Sequence, residues 1–109
     1  MFSDIYGIYT GRHFSVADTY ADLGFNVYLP QILINPYDGQ GSISECIKSQ
    51  DYDRMEKRFI DLLFYLNDKG FREFYSNGFC WGAWIGFKFA AKFNGFKAFA
   101  GCHPSIKTS

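Results

Sequence analysis

The most regular run of apolar positions lies in "DYDRMEKRFIDLLFYLNDKG". There Met55, Phe59, Leu62, Leu63 and Leu66 recur at the 3.6-residue spacing of one helix face. Gly70 supplies a left-handed stop, so the pattern predicts a helix ending at that point. Earlier, "FSVADTYADL" (residues 14–23) reads as a helix with Ser15 as its cap, Asp18 in its first turn and Gly24 as its stop. "FNVYLP" reads as a short buried strand over residues 25–29, closed by Pro30. Residues 35–50 carry Pro, Gly, Ser and Asn without any period and read as a long loop. After the long helix come a strand in "REFYSNG", a helix in "GAWIGFKFAAKFN" ending at Asn94-Gly95, and a strand in "FKAFAGC". The order helix–strand–helix–strand–helix–strand implies parallel strands joined by crossovers, an α/β architecture. With no internal repeat or low-complexity tract, residues 1–109 read as one domain.

Composition narrows the function classes. Hydrophobic residues make up 48% and aromatics 21%, too much apolar surface for a disordered tail. Lys+Arg and Asp+Glu both number 11, so there is no overall charge to draw the chain to nucleic acid or an acidic membrane. No apolar run reaches the roughly 18 residues that cross a bilayer. "MFSDIYG" lacks the basic stretch and apolar core of a signal peptide. Cys46, Cys80 and Cys102 are odd in number with no CxxC spacing, so reduced thiols and a cytoplasmic location are expected rather than a disulfide frame. The charges are unevenly placed. Every acid lies at or before Glu73, while residues 81–109 hold Lys88, Lys92, Lys97 and Lys107 and no acid.

The candidate chemistry sits in "SNGFCWGAW". A strand leads in, Cys80 stands at the tip of a turn between Gly78 and Gly82, and a helix leads out. A nucleophile elbow requires this order. Its central residue takes a strained backbone conformation, so its flanking positions must be small. The side chain would then sit at a helix N-terminus, where partial positive charge favours a thiolate, and the Trp81 amide would be placed as an oxyanion donor. The competing reading is a packed and inert thiol, since cysteine is among the most buried residue types.

"GFCWGAW" resembles the nucleophile motif of the dienelactone hydrolase family, α/β-hydrolases that use cysteine where esterases use serine. "SDIYGIY", "ADLGFNVYLPQIL" and "FKAFAGCHPS" resemble three further segments of that family in the same order, so the similarity covers nearly the whole chain. The resemblance implies a partial α/β-hydrolase fold, three-layered with a mostly parallel sheet. Its central strand would be reduced to a stub at Met1-Phe2-Ser3, lying between the "FNVYL" and "EFYS" strands, and its C-terminal strands would be absent. It implies hydrolysis of small esters or lactones, with Cys80 as nucleophile, the backbone amides of Ile5 and Trp81 as the oxyanion hole, and Asp4 near the resting thiol. Asp4 is often Glu in the family, and Gln31 stands where the family usually has Asp. The family's triad acid and histidine follow the elbow, yet no acid follows Cys80 here, and the downstream histidine, His103, is not at the family's catalytic position. Catalysis is therefore expected to be impaired, with His13 and His103 as candidate bases for a minimal dyad; the plainer role for both is as surface or capping histidines.

Two other classes of function stand beside the enzyme. One is a non-catalytic fragment that associates with a partner, or with itself, through exposed sheet edges. The other is a redox-sensing thiol at Cys80. No zinc-like spacing links the cysteines and histidines, so no metal is expected. Gly39-Gln40-Gly41 lacks the strand and third glycine of a dinucleotide fingerprint, and no cofactor is expected. Trp84, Phe87, Phe89 and Phe93 fall at helical spacing and read as core rather than as a base-stacking face.

Overall fold

The computed structural model describes residues 1–102. Four helices and two strands follow one another as α1 (His13–Asp22), α2 (Ile43–Ser49), α3 (Tyr52–Asp68), β1 (Phe74–Phe79), α4 (Trp81–Lys92) and β2 (Phe96–Cys102). The periodic helix forms where its apolar spacing places it. Met55, Phe59 and Leu66 are buried, and Gly70 closes it with a φ of +92°. Asp51 caps its start by accepting from the Asp53 and Arg54 amides at 3.1 and 3.3 Å.

β1 and β2 pair in parallel around α4, in register from Tyr75 opposite Ala98 to Phe79 opposite Cys102. On the other side of β1, the Phe2 amide donates to the Asn77 carbonyl at 2.8 Å and forms a parallel bridge opposite Gly78. The Met1 ammonium donates to the Tyr28 carbonyl at 2.8 Å, and its burial lowers its pKa to about 6. Met1 and Phe2 therefore lie between residues 25–29 and β1. The Phe2 ring enters the core, 5.8 Å from Phe59 and 5.9 Å from Phe89, which stack on each other at 4.2 Å with planes 8° apart.

The structure departs from the sequence reading at three places. Residues 25–29 form no strand, so the sheet has two strands rather than three. A strand exists through its ladder, and the contact from Met1 is too little neighbouring backbone to make one. Residues 35–50 are not all loop, because α2 forms within them. Ser42 accepts from the Glu45 amide at 3.3 Å, a Ser-x-x-Glu start that the lack of an apolar period hides. The first helix begins at His13, with Arg12 in the cap position and no side-chain cap, so Ser15 lies inside it and Asp18 beyond its first turn. Gly24 does follow its end, at a φ of +101°.

Gln50, at the end of α2, does the work of a missing strand partner. Its Oε1 accepts from the Ile34 and Asn35 amides at 2.9 and 3.0 Å, and its Nε2 donates to the Asn35 carbonyl at 2.6 Å. Those bonds fix the chain just after Ile32 and Leu33, both buried in the core.

Candidate active site

Cys80 stands in a sharp turn at the junction of β1 and α4. Cys80 has φ 56° and ψ −118°, and it is the one non-glycine residue among those described with positive φ. An L-residue there is strained by about 1–3 kcal/mol and stays only where its surroundings hold it. Three backbone bonds do so. The Cys80 amide donates to the Cys102 carbonyl at 2.9 Å, and its own carbonyl accepts from the Ala83 and Trp84 amides at 3.1 and 3.4 Å as the helix begins.

The flanking glycines answer to close backbone approach. A Cβ on Gly78 would overlap the Gly82 carbonyl, and a Cβ on Gly82 would overlap the backbone carbonyls of Ser3 and Phe2. One turn on, a Cβ on Gly86 would enter the Phe99 ring. The first two turns of α4 thus lie directly on the Phe2-Ser3 backbone and on β2. That close approach brings the segment bearing Ile5 to the helix end bearing Trp81. The Trp81 amide is one of the first-turn N–H groups that no helical carbonyl can satisfy.

The segment after Ser3 is a tight turn. Asp4 Oδ1 accepts from the Tyr6 amide at 3.0 Å, and the Asp4 carbonyl accepts from the Gly7 amide at 3.2 Å. Gly7 has φ +90°, and a Cβ there would lie 2.9 Å from Gln31 Nε2, so the Gln31 amide packs directly against this turn. Ile5 is buried, and its carbonyl accepts from the Tyr37 amide at 2.8 Å.

The Asp4 carboxylate, placed near the thiol by the family resemblance, faces a histidine. His13 Nε2 lies 3.4 Å from Asp4 Oδ1. His13 is neither a surface nor a capping residue, being only 7% exposed at the first position of α1. Its ring also lies 6.2 Å from that of Phe79, the residue before Cys80. The pairing joins residues nine positions apart across a turn, and no local pattern signals it. The short interval between "SDIYG" and "GRH" was the available hint. His103 lies outside the described residues.

Of the downstream lysines, Lys88, Lys92 and Lys97 are engaged by ion pairs or rings, and Lys107 lies outside the described residues. Lys92 Nζ meets Glu56 Oε1 at 2.7 Å and Lys97 meets Glu73 at 3.7 Å, while Lys88 lies over the Tyr52 and Trp84 rings. Phe89 is fully buried and Trp84 half-buried, as a core role requires, whereas Phe87 is 48% exposed and packs on Phe99. No group of three or more metal-ligating side chains occurs among the described residues, and no described helix is long and apolar enough to cross a membrane. A cleft of about 510 Å³, lined by residues such as Met1, Val27, Leu66 and Ser76, includes none of Asp4, Ile5, Cys80 and Trp81.

No curated protein and no solved structure matches this chain. The model of the dienelactone hydrolase family matches it over residues 1–109. The match takes in the turn at Asp4, the turn at Cys80 and both strands, and the chain belongs to the dienelactone hydrolase family, whose character is that of a hydrolase.

Proposed function

We propose that this protein acts on small carboxylic esters or lactones through Cys80. The observation that carries the reading is the backbone of Cys80 itself, a strained non-glycine conformation held between two glycines at the meeting of a strand and a helix. The Cys80 thiol loses its proton to solvent, its sulfur attacks the carbonyl carbon and the carbonyl π electron pair moves to oxygen. The Ile5 and Trp81 amides stabilise that oxyanion, and the collapsing intermediate expels an alkoxide that takes up a proton. Water then hydrolyses the thioester and restores the thiol. The β1–β2 pair with the Phe2 bridge corresponds, on this reading, to the middle of an α/β-hydrolase sheet.

Incubation with an activated acetate ester followed by intact-mass and peptide mapping tests the reading. An acetyl group on Cys80, lost slowly to water and absent in Cys80→Ala, is the expected result. Acetylation spread over surface lysines with none at Cys80 would sink it.

A further inference from the structure

His13 stands between the two halves of the proposed site. Asp4, whose Oδ1 lies 3.4 Å from the imidazole Nε2, is the residue before Ile5. Phe79, whose ring lies 6.2 Å from the imidazole at a 41° tilt, is the residue before Cys80. A single buried ring thus touches the chain neighbour of the Ile5 oxyanion donor and the chain neighbour of the nucleophile.

The Asp4 side of this contact controls the Ile5 peptide. The carboxylate that faces His13 also accepts from the Tyr6 amide, and the Asp4 carbonyl accepts from the Gly7 amide, so the turn closes around Ile5. The Ile5 carbonyl is already fixed by Tyr37. Rotation of the turn would therefore swing the Ile5 amide while the rest of the residue stays anchored. His13 Nε2 is buried and makes no well-aligned hydrogen bond to a described residue; its approach to Asp4 is longer than the roughly 2.7–2.9 Å of a charge-assisted hydrogen bond.

We propose that His13 is a positioning residue, a spacer that sets the distance and orientation of the Ile5 amide relative to Cys80. The proposal rests on the reading of Cys80 as nucleophile, and its test separates the two. In His13→Gln, amide hydrogen exchange at Tyr6 and Gly7 is expected to accelerate by about tenfold or more, with exchange in α3 unchanged. The kcat for an activated ester is expected to fall about 10–100-fold with KM held within about twofold, because the misplaced donor acts on the transition state. Alkylation of Cys80 by iodoacetamide develops no oxyanion and is expected to keep its rate.

Unchanged exchange at Tyr6 and Gly7 overturns the proposal. So does alkylation slowed in step with turnover, which would make His13 a base for the thiol, and so does faster exchange throughout the chain, which would make it merely structural. A wild-type protein without turnover defeats the catalytic reading, while the exchange result still decides the role of His13. Asp4→Asn keeps an oxygen for the Tyr6 amide but removes the charge, and it covers the case of a His13 variant that does not fold. It is expected to lower kcat several-fold and to add nothing to His13→Gln in the double variant. Wild-type kcat in Asp4→Asn, or additive losses in the double variant, would overturn the proposal as well.

Discussion

Helices α3 and α4 start in opposite ways. At α3, Asp51 sits in an ordinary extended conformation, and its carboxylate satisfies two first-turn amides. Asp53 adds negative charge to the same turn, which is otherwise largely exposed. At α4, Cys80 occupies a strained conformation, its side chain caps nothing, and the first turn has no acid. Trp81, Gly82 and Ala83 are all buried. The first start is stabilised by its own side chains. The second is held from outside, by the Cys102 carbonyl and by the Phe2-Ser3 backbone lying on Gly82. A capped helix end has its first amides met by its own side chain; this uncapped one leaves that role to backbone from elsewhere in the chain or to none.

The comparison breaks most visibly at Gly82. Gly82→Ala sets a methyl group against backbone carbonyls, which cannot rotate away as a side chain can. We expect a loss of about 3 kcal/mol or more, read as a collapsed urea midpoint or an unfolded circular-dichroism spectrum. A variant as stable as the wild type would show that the clamp is not what holds α4. Asp51→Ala removes an ordinary cap and is expected to cost about 1 kcal/mol, with the elbow unchanged by Cys80 alkylation. A change in the alkylation rate would mean that the two helix starts are coupled.

Cys80→Gly sharpens the contrast in the other direction. Compared with Cys80→Ala, which retains the strain, it should be more stable by about 1 kcal/mol after the extra chain entropy of glycine is set against the relief. Equal stabilities would mean that the conformation is not strained. The smallest effect is expected between the helices themselves, where Lys92 of α4 meets Glu56 of α3. The hydrogen bond from Lys92 lowers the Glu56 pKa, and the same bond raises that of Lys92. A depressed carboxylate stabilises the fold above the ordinary carboxylate range and loses that contribution as pH falls through its folded value. A raised ammonium stabilises below the ordinary lysine range and loses it as pH rises. The melting temperature of Lys92→Met should therefore lie slightly below wild type at neutral pH and converge with it at both extremes. A constant gap across pH would assign the difference to packing.

Legibility in the sequence followed the range of the interactions. α3 was readable because Met55, Phe59 and Leu66 repeat within the helix they build. The turn at Cys80 was readable because glycine identity reports backbone crowding directly. Residues 25–29 read as a strand on β-propensity alone, yet a strand depends on the chain beside it, and Phe25 is 52% exposed. α2 was hidden because a seven-residue helix has no room for a period, and its Ser42–Glu45 start was the remaining signal. The approach of His13 to Asp4 depends on how a turn folds back, which no local pattern states.

The placement of Phe2 carries a kinetic consequence. Its amide belongs to the ladder of β1, its carbonyl rests on Gly82, and its ring lies among Phe59 and Phe89. Those partners are far away along the chain, while β1, α4 and β2 are consecutive and can meet through short loops. Docking Phe2 therefore closes most of the chain into a loop, and such contacts of large sequence separation form slowly. The β1–α4–β2 unit should assemble first with the underside of Gly82 bare, and the turn at Asp4-Ile5 should reach the Cys80 turn only in the final step of folding.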